Sequence, residues 1–290
     1  MVPRKKAMTH SIIFLIVAFG GSVLAGVFGS MLGLGGGALL VPMLTIFMGV
    51  EIHYAIGASI VSVIATSSGA AVAYVRDHLS NIRLGMLLEV ATTSGAVTGA
   101  FVGGLLSGPV LSVIFAAVLM YSAFAMLRRR TDDLTTHVTP HPWAEKLKLN
   151  SSYHDKVLNQ RIDYNVAGVP TGLGLMYVAG LVSGLLGVGS GVLKVPAMDL
   201  AMRVPMKVSS TTSNFMIGVT AAASAGVFFA RGQINPFIAA PVALGVLVGS
   251  FLGARLLQRV ASASIRKVFV IVLVLVSVEM IVKAFGIQWH

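Results

Sequence analysis

Gly29-Ser-Met-Leu-Gly-Leu-Gly-Gly-Gly37 runs straight into Ala38-Leu-Leu-Val-Pro42, and the same design returns as Gly184-Leu-Leu-Gly-Val-Gly-Ser-Gly191 followed by Val192-Leu-Lys-Val-Pro196. Each stretch sets a glycine cluster between a long apolar segment and a short one. Glycine tolerates positive φ, so a helix can break there. The short segment holds about 12 residues, roughly 18 Å at 1.5 Å per residue, too little to cross ~30 Å of hydrocarbon. A break inside hydrocarbon exposes N–H and C=O groups at several kcal/mol each, and persists only where protein, water or a ligand satisfies them. Each proline follows its last glycine by five residues (37 to 42, 191 to 196), near the first turn of the new helix, where a missing N–H does least harm.

Composition says that hydrocarbon surrounds these stretches. The chain has 290 residues, 56% of them hydrophobic and 11% charged; an ordinary soluble domain carries roughly 25% charged residues. Twelve of the 31 charges lie between positions 128 and 163, leaving 19 for the other 254 residues. That is too few to cover a soluble globule, which is excluded. Cysteine is absent, so disulfide scaffolds, thiolate nucleophiles, iron–sulfur clusters and thiolate zinc sites are excluded as well. Apolar segments occupy about 11–32, 38–50, 55–75, 84–106 and 109–127, then about 167–188, 192–202, 208–230, 236–257 and 265–285. They lack the alternating pattern of an outer-membrane barrel, and an all-α integral membrane protein is predicted.

A shift of 154 residues aligns the halves without a gap. Gly26, Gly33, Gly35, Gly37, Leu39, Val41 and Pro42 fall on Gly180, Gly187, Gly189, Gly191, Leu193, Val195 and Pro196, and Ser59, Thr66, Asn81 and Gly99 fall on Ser213, Thr220, Asn235 and Gly253. The predicted organisation is a first membrane repeat at 1–127, a polar linker at 128–165 and a second repeat at 166–290, with about five helical segments in each repeat. Arg4-Lys5-Lys6 ahead of an apolar run has the look of a signal peptide, but the run has a counterpart in the second half and is expected to be helix one. Five crossings per half invert the second copy and four leave it parallel. Loop charges do not separate these counts of eight and ten, and the inverted form is the expectation. Both place the basic linker in the cytoplasm.

Duplicated helices joined by a polar linker are a common build for secondary transporters. The amino ends of the two short helices present free N–H groups and partial positive charge, suited to an anion. The expected binding set is therefore the backbone of Gly35, Gly36, Gly37, Gly189, Ser190 and Gly191, the ammonium of Lys194, and the polar groups of Ser59, Ser213 and Asn214. Lys194 replaces Leu40 of the first copy, and a charge that deep usually lines a polar pathway. It either meets the anion or pairs with Asp199, five residues on. Asp199 and Glu89 are the candidates for ion coupling. Ser209-Ser-Thr-Thr-Ser-Asn214 puts hydrogen-bonding groups all round an early helical turn, and some must bond their own backbone.

Other chemistries fail. Gly33-Leu-Gly-Gly-Gly-Ala38 matches a dinucleotide fingerprint by letter, but an apolar helix precedes it where a strand is needed. There is no phosphate loop, no embedded nucleophile and no metal set, so neither an enzyme nor an ATP-driven pump is expected, and no cofactor or metal. His137 and His141 in the linker lack further ligands. The formal charge of +11 points to anionic lipid headgroups, not nucleic acid. Expected partners are a small anionic substrate and membrane lipids, with a homo-oligomer left open. Transport of a cation or other small solute, or a non-transporting scaffold or receptor subunit, are the competing readings.

The motif Gly-x-Gly-Gly-Gly-x-Leu-x-Val-Pro at Gly33 to Pro42, its modified copy at Gly187 to Pro196, and the run from Val204 to Ser224 resemble the TauE/SafE family of sulfite exporters and toluene sulfonate uptake permeases. The resemblance covers nearly the whole chain outside the linker. It implies an inner-membrane transporter of sulfur-containing anions such as sulfite, sulfonates or sulfoacetate, driven by ion gradients. Ser190 departs from the pattern by replacing the middle glycine of the second cluster.

Overall fold

A computed structural model describes residues 3–32, 36–76, 79–128, 138–155, 160–189, 191–257 and 262–284. The first half comprises α1 (Pro3–Leu32), α2 (Gly37–Pro42) running into a π-helical turn (Met43–Phe47), α3 (Ile52–Arg76), α4 (Ile82–Gly103) and α5 (Gly108–Arg128). A short helix α6 (Pro142–Lys146) and strands β1 (Ser151–Asp155) and β2 (Gln160–Tyr164) follow. The second half comprises α7 (Val169–Leu186), α8 (Gly191–Pro196) with its π-helical turn (Ala197–Ala201), α9 (Met206–Ala230), α10 (Pro236–Leu257) and α11 (Ser262–Ala284).

The elements recur in the same order, and adding 154 to the bounds of α3 and α4 gives those of α9 and α10. Among the described residues five helical stretches are long and apolar enough to cross a membrane: Ile13–Met31, Ile82–Gly103, Val169–Leu186, Met206–Ala230 and Pro236–Leu256. The short apolar helix Gly37–Phe47 is not one of them. Large apolar side chains such as Val90, Phe101, Phe229 and Leu275 stand exposed on the outer helix faces. Lipid tails are the solvent that makes such a surface stable. The chain is an all-α integral membrane protein with several crossings.

Local chemistry accounts for the shared boundaries. Asn81 and Asn235 each cap the helix that follows, their side-chain oxygens accepting from the N–H of Leu84 (3.1 Å) and of Phe237 (3.0 Å). Pro42 has no N–H for the Ala38 carbonyl four residues back, and the winding loosens to π directly after it. Thr45 then donates to the carbonyls of Val41 (2.9 Å) and Pro42 (3.2 Å).

The halves exchange packing partners. Helix α1 lies along α10 while α7 lies along α4, and α3 packs on α9 as α5 does on α11. Single residues follow the same rule. A side chain at Gly26 would collide with the backbone of Val246, and one at Gly180 with the backbone of Thr92. Both members of the first pair map onto the second by the shift of 154 (26 to 180, 92 to 246). Only residues without a side chain let these backbones touch.

The described part of the polar linker carries structure of its own. Strands β1 and β2 pair antiparallel, Ser151 opposite Tyr164 through Asp155 opposite Gln160. Tyr153, Tyr164, Ala144 and Leu149 are buried in one apolar cluster with Leu84, Leu88, Met198, Met202 and Val208. Asn81 fastens it, donating to the Leu149 carbonyl (2.8 Å) and the Tyr164 hydroxyl (3.0 Å). Two five-residue strands carry too few apolar positions for a period of two to stand out.

Candidate functional site

The two breaks meet. Gly36 (φ 75°), Gly187 (φ 66°) and Gly189 (φ 78°) hold left-handed conformations, which explains glycine at these places. A Cβ on Gly37 would lie 2.7 Å from Ser59 Oγ, 2.9 Å from the Gly187 carbonyl oxygen and 3.0 Å from Val188 Cα, so the first break is seated on the second. Each is held by the other half. Ser59 of α3 donates to the Gly187 carbonyl at the end of α7 (2.7 Å), and Asn214 of α9 donates to the Ser30 carbonyl near the end of α1 (2.8 Å). Ser67 of α3 in turn donates to the Asn214 carbonyl (2.6 Å).

Ser209 to Asn214 are all buried, and most of their groups are in use. Ser209 donates to the Val204 carbonyl, Thr211 to those of Leu79 and Lys207, and Thr212 accepts from the Asn81 N–H. Ser213 also has a partner. Among the described residues, the Asn214 side-chain oxygen and the Ser210 hydroxyl are buried with no hydrogen-bond partner. An unpaired buried amide oxygen costs about 1–3 kcal/mol, which makes Asn214 a natural place for a further contact.

Lys194 is fully buried, and Glu89 of α4 is the carboxylate it meets, Nζ to Oε2 being 3.5 Å. Asp199, the alternative partner that the sequence offers, is not the carboxylate of this ion pair. Five residues along one helix is a poor spacing for a pair, whereas α4 and α8 both pack on α7 and α9 and so bring the two charges together. Lys194 also donates to Thr220 Oγ1 (2.6 Å), and Thr220 donates to Glu89 Oε1 (2.5 Å). Thr93 (2.9 Å) and Thr92 (3.3 Å) donate to the same carboxylate. Thr220, Thr92 and Thr93 were not legible as site residues. The one signal for Thr220 was its place opposite Thr66 in the repeat.

Of the sequence-derived candidates, Gly36, Gly37, Gly189, Gly191, Ser59 and Asn214 gather at the paired breaks, and Lys194 with Glu89 forms a charged cluster beside the second one. Ser59's single proton goes to Gly187, so it serves the break itself. Gly35 and Ser190 lie outside the described residues, as does His137. No group of three metal-ligating side chains occurs among the described residues.

A helical bundle with several crossings, two joined breaks and a buried ion pair between its halves defines a membrane protein of the transporter class. The family model described as "Sulfite exporter TauE/SafE" matches residues 18–280. The chain belongs to that family. It is 27% identical over 278 residues to the probable membrane transporter protein YunE of Bacillus subtilis, covering 93% of this chain and 97% of that one. It is 26% identical over 275 residues to a probable membrane transporter protein of Xylella fastidiosa, covering 94% and 97%. No solved structure matches it.

Proposed function

We propose that the chain is a secondary transporter of a small sulfur-containing anion, of the sulfite, sulfonate or sulfoacetate type, working by alternating access in a cell's inner membrane. The family description and the transporter names of its relatives support transport, and the sulfite exporter description supports the substrate class. The observation that carries the anion reading is Lys194. Its ammonium has three protons to donate, and the described residues offer it two acceptors, one of them at 3.5 Å. A buried cation with a proton to spare attracts a negative group. By the neighbouring break the amino ends of α2 and α8 add positive potential, while the open Asn214 oxygen, an acceptor, suits a donor such as water and not the anion itself.

Alternating access rests on the seams. The exchanged helices meet backbone to backbone at Gly26 and Gly180, and in this reading these smooth contacts are the surfaces along which one half rocks against the other. Purified protein in liposomes is expected to take up labelled sulfite or a sulfonate, and Lys194→Ala to lose that uptake while keeping its helical content. A wild-type protein that moves cations or neutral solutes and no sulfur oxyanion refutes the reading.

A further inference from the structure

We propose that Glu89 is the proton-coupling residue of this transporter: the anion takes Glu89's place on Lys194 while Glu89 takes up one proton, so that anion and proton cross together. The inference rests on the transport reading above. It starts from where the two halves differ. The shift of 154 places Leu40 opposite Lys194, Ala243 opposite Glu89 and Thr66 opposite Thr220. The two charges that break the repeat are in contact with each other. One of the two equivalent places is apolar, the other carries a complete ion pair, and neither charge occurs without its partner.

Charge balance dictates the coupling. With the pair closed, the site is neutral. An anion brought to the Lys194 ammonium leaves a net negative charge in hydrocarbon unless the neighbouring carboxylate is neutralised. One proton on Glu89 does so, and the loaded site (ammonium, anion, carboxyl) is neutral again. On release to the other side the proton leaves the carboxyl, and the carboxylate returns to Lys194. No bond other than that O–H forms or breaks.

The hydrogen bonds accommodate both forms. In the closed pair Thr220 donates to Glu89 Oε1 and accepts from Lys194. Its hydroxyl also lies 3.1 Å from the Met216 carbonyl oxygen. When Glu89 holds a proton, the carboxyl donates to Thr220 and the Thr220 proton turns to Met216, so no group is left bare. The Glu89 side chain is 11% exposed where that of Lys194 is 0%, so the carboxylate is the member of the pair that reaches the protein surface.

The remaining charges stand apart. On α4, Arg83 is exposed, six residues or about 9 Å along the helix from Glu89. From α9, Lys207 and Arg231 lie 13 and 11 residues from Thr220, about 20 and 16 Å along the axis, and Arg231 is bonded to the Ala100 and Phe101 carbonyls. The titratable side chain of α7 is the partly exposed Tyr177, and beyond α8 Asp199 stands five residues after Lys194 in the π-helical turn, with an interaction of its own.

The test uses the full chain in liposomes and a labelled alkyl sulfonate, which stays an anion at all working pH values, so the substrate itself carries no proton. One proton per monovalent anion predicts a tenfold accumulation for each pH unit imposed, independent of membrane potential. In Glu89→Gln, with the membrane potential clamped at zero, the accumulation ratio falls to one, whatever the rate. In detergent, wild-type affinity for the sulfonate, read from thermal stabilisation, rises up to tenfold per unit fall in pH, and that of Glu89→Gln does not change with pH. A variant that still follows the gradient, or wild type whose uptake and affinity both ignore pH, overturns the coupling and leaves anion transport standing. Wild type that neither binds nor moves any sulfonate or sulfite overturns the transport reading beneath it.

Discussion

Ser59 reaches from the first half of the chain to donate to the Gly187 carbonyl in the second, 2.7 Å away and 128 residues on. A helix that ends within a bilayer leaves carbonyls that neither water nor the next turn can satisfy. The structure meets that need across the interface, so each half completes the other's break.

Ser59→Ala removes this donor and leaves the Gly187 carbonyl bare. The expected loss is about 1–3 kcal/mol, measured by unfolding in detergent. Ser59→Thr keeps the hydroxyl and is expected to recover part of the loss. Equal stability of Ala and wild type would show that the carbonyl has another partner.

Gly37→Ala forces apart two backbones, because the added carbon meets the Gly187 carbonyl and Val188 Cα at 2.9 and 3.0 Å. Neither can swing aside as a side chain would. Uptake in liposomes is expected to fall by tenfold or more, even in preparations that keep their helical circular dichroism.

Lys194→Leu alone strands Glu89 and is expected to destabilise by about 3–5 kcal/mol, as removal of one partner of a buried pair does. Glu89→Ala added to it reproduces the residue types at Leu40 and Ala243, and is expected to restore most of the stability. Denaturation of both singles and the double closes the cycle, and simple additivity would deny the pairing.

Arg203 holds φ 58°, and its counterpart 154 residues earlier is Gly49 at φ 66°. A left-handed residue with a side chain costs about 1–2 kcal/mol. Arg203 is exposed, so little packing is lost on replacing it. Arg203→Gly is expected to raise the unfolding temperature by a degree or more.

Tyr164 anchors the hairpin. Burial pushes its phenol above the usual value of 10, against smaller opposing effects of the hydrogen bonds with Asn81 and Ser151. A raised folded value means that its share of the docking is complete below pH 10 and declines as the pH climbs through and beyond it. Proteolysis of the linker is therefore expected to accelerate above pH 10 in wild type. Asn81→Ala is expected to show faster cleavage at neutral pH, since both of its bonds to the linker are gone.

Much was legible before any fold was known, because it depends on neighbours in sequence. Apolar runs long enough for a bilayer and glycines where a helix must break act within a turn or two of chain, and the spacing of 154 shows in a comparison of the sequence with itself. The sequence alone therefore established a helical membrane protein, its two interruptions and the family that their motif resembles. Which groups meet was a different matter. Glu89 and Lys194 stand 105 residues apart, and Thr220 is one of many threonines in apolar helices. Their convergence depends on how α4, α8 and α9 are rotated and packed. Helical period fixes the face of each helix but not its partner, so only the tertiary structure decided that Lys194 answers to Glu89.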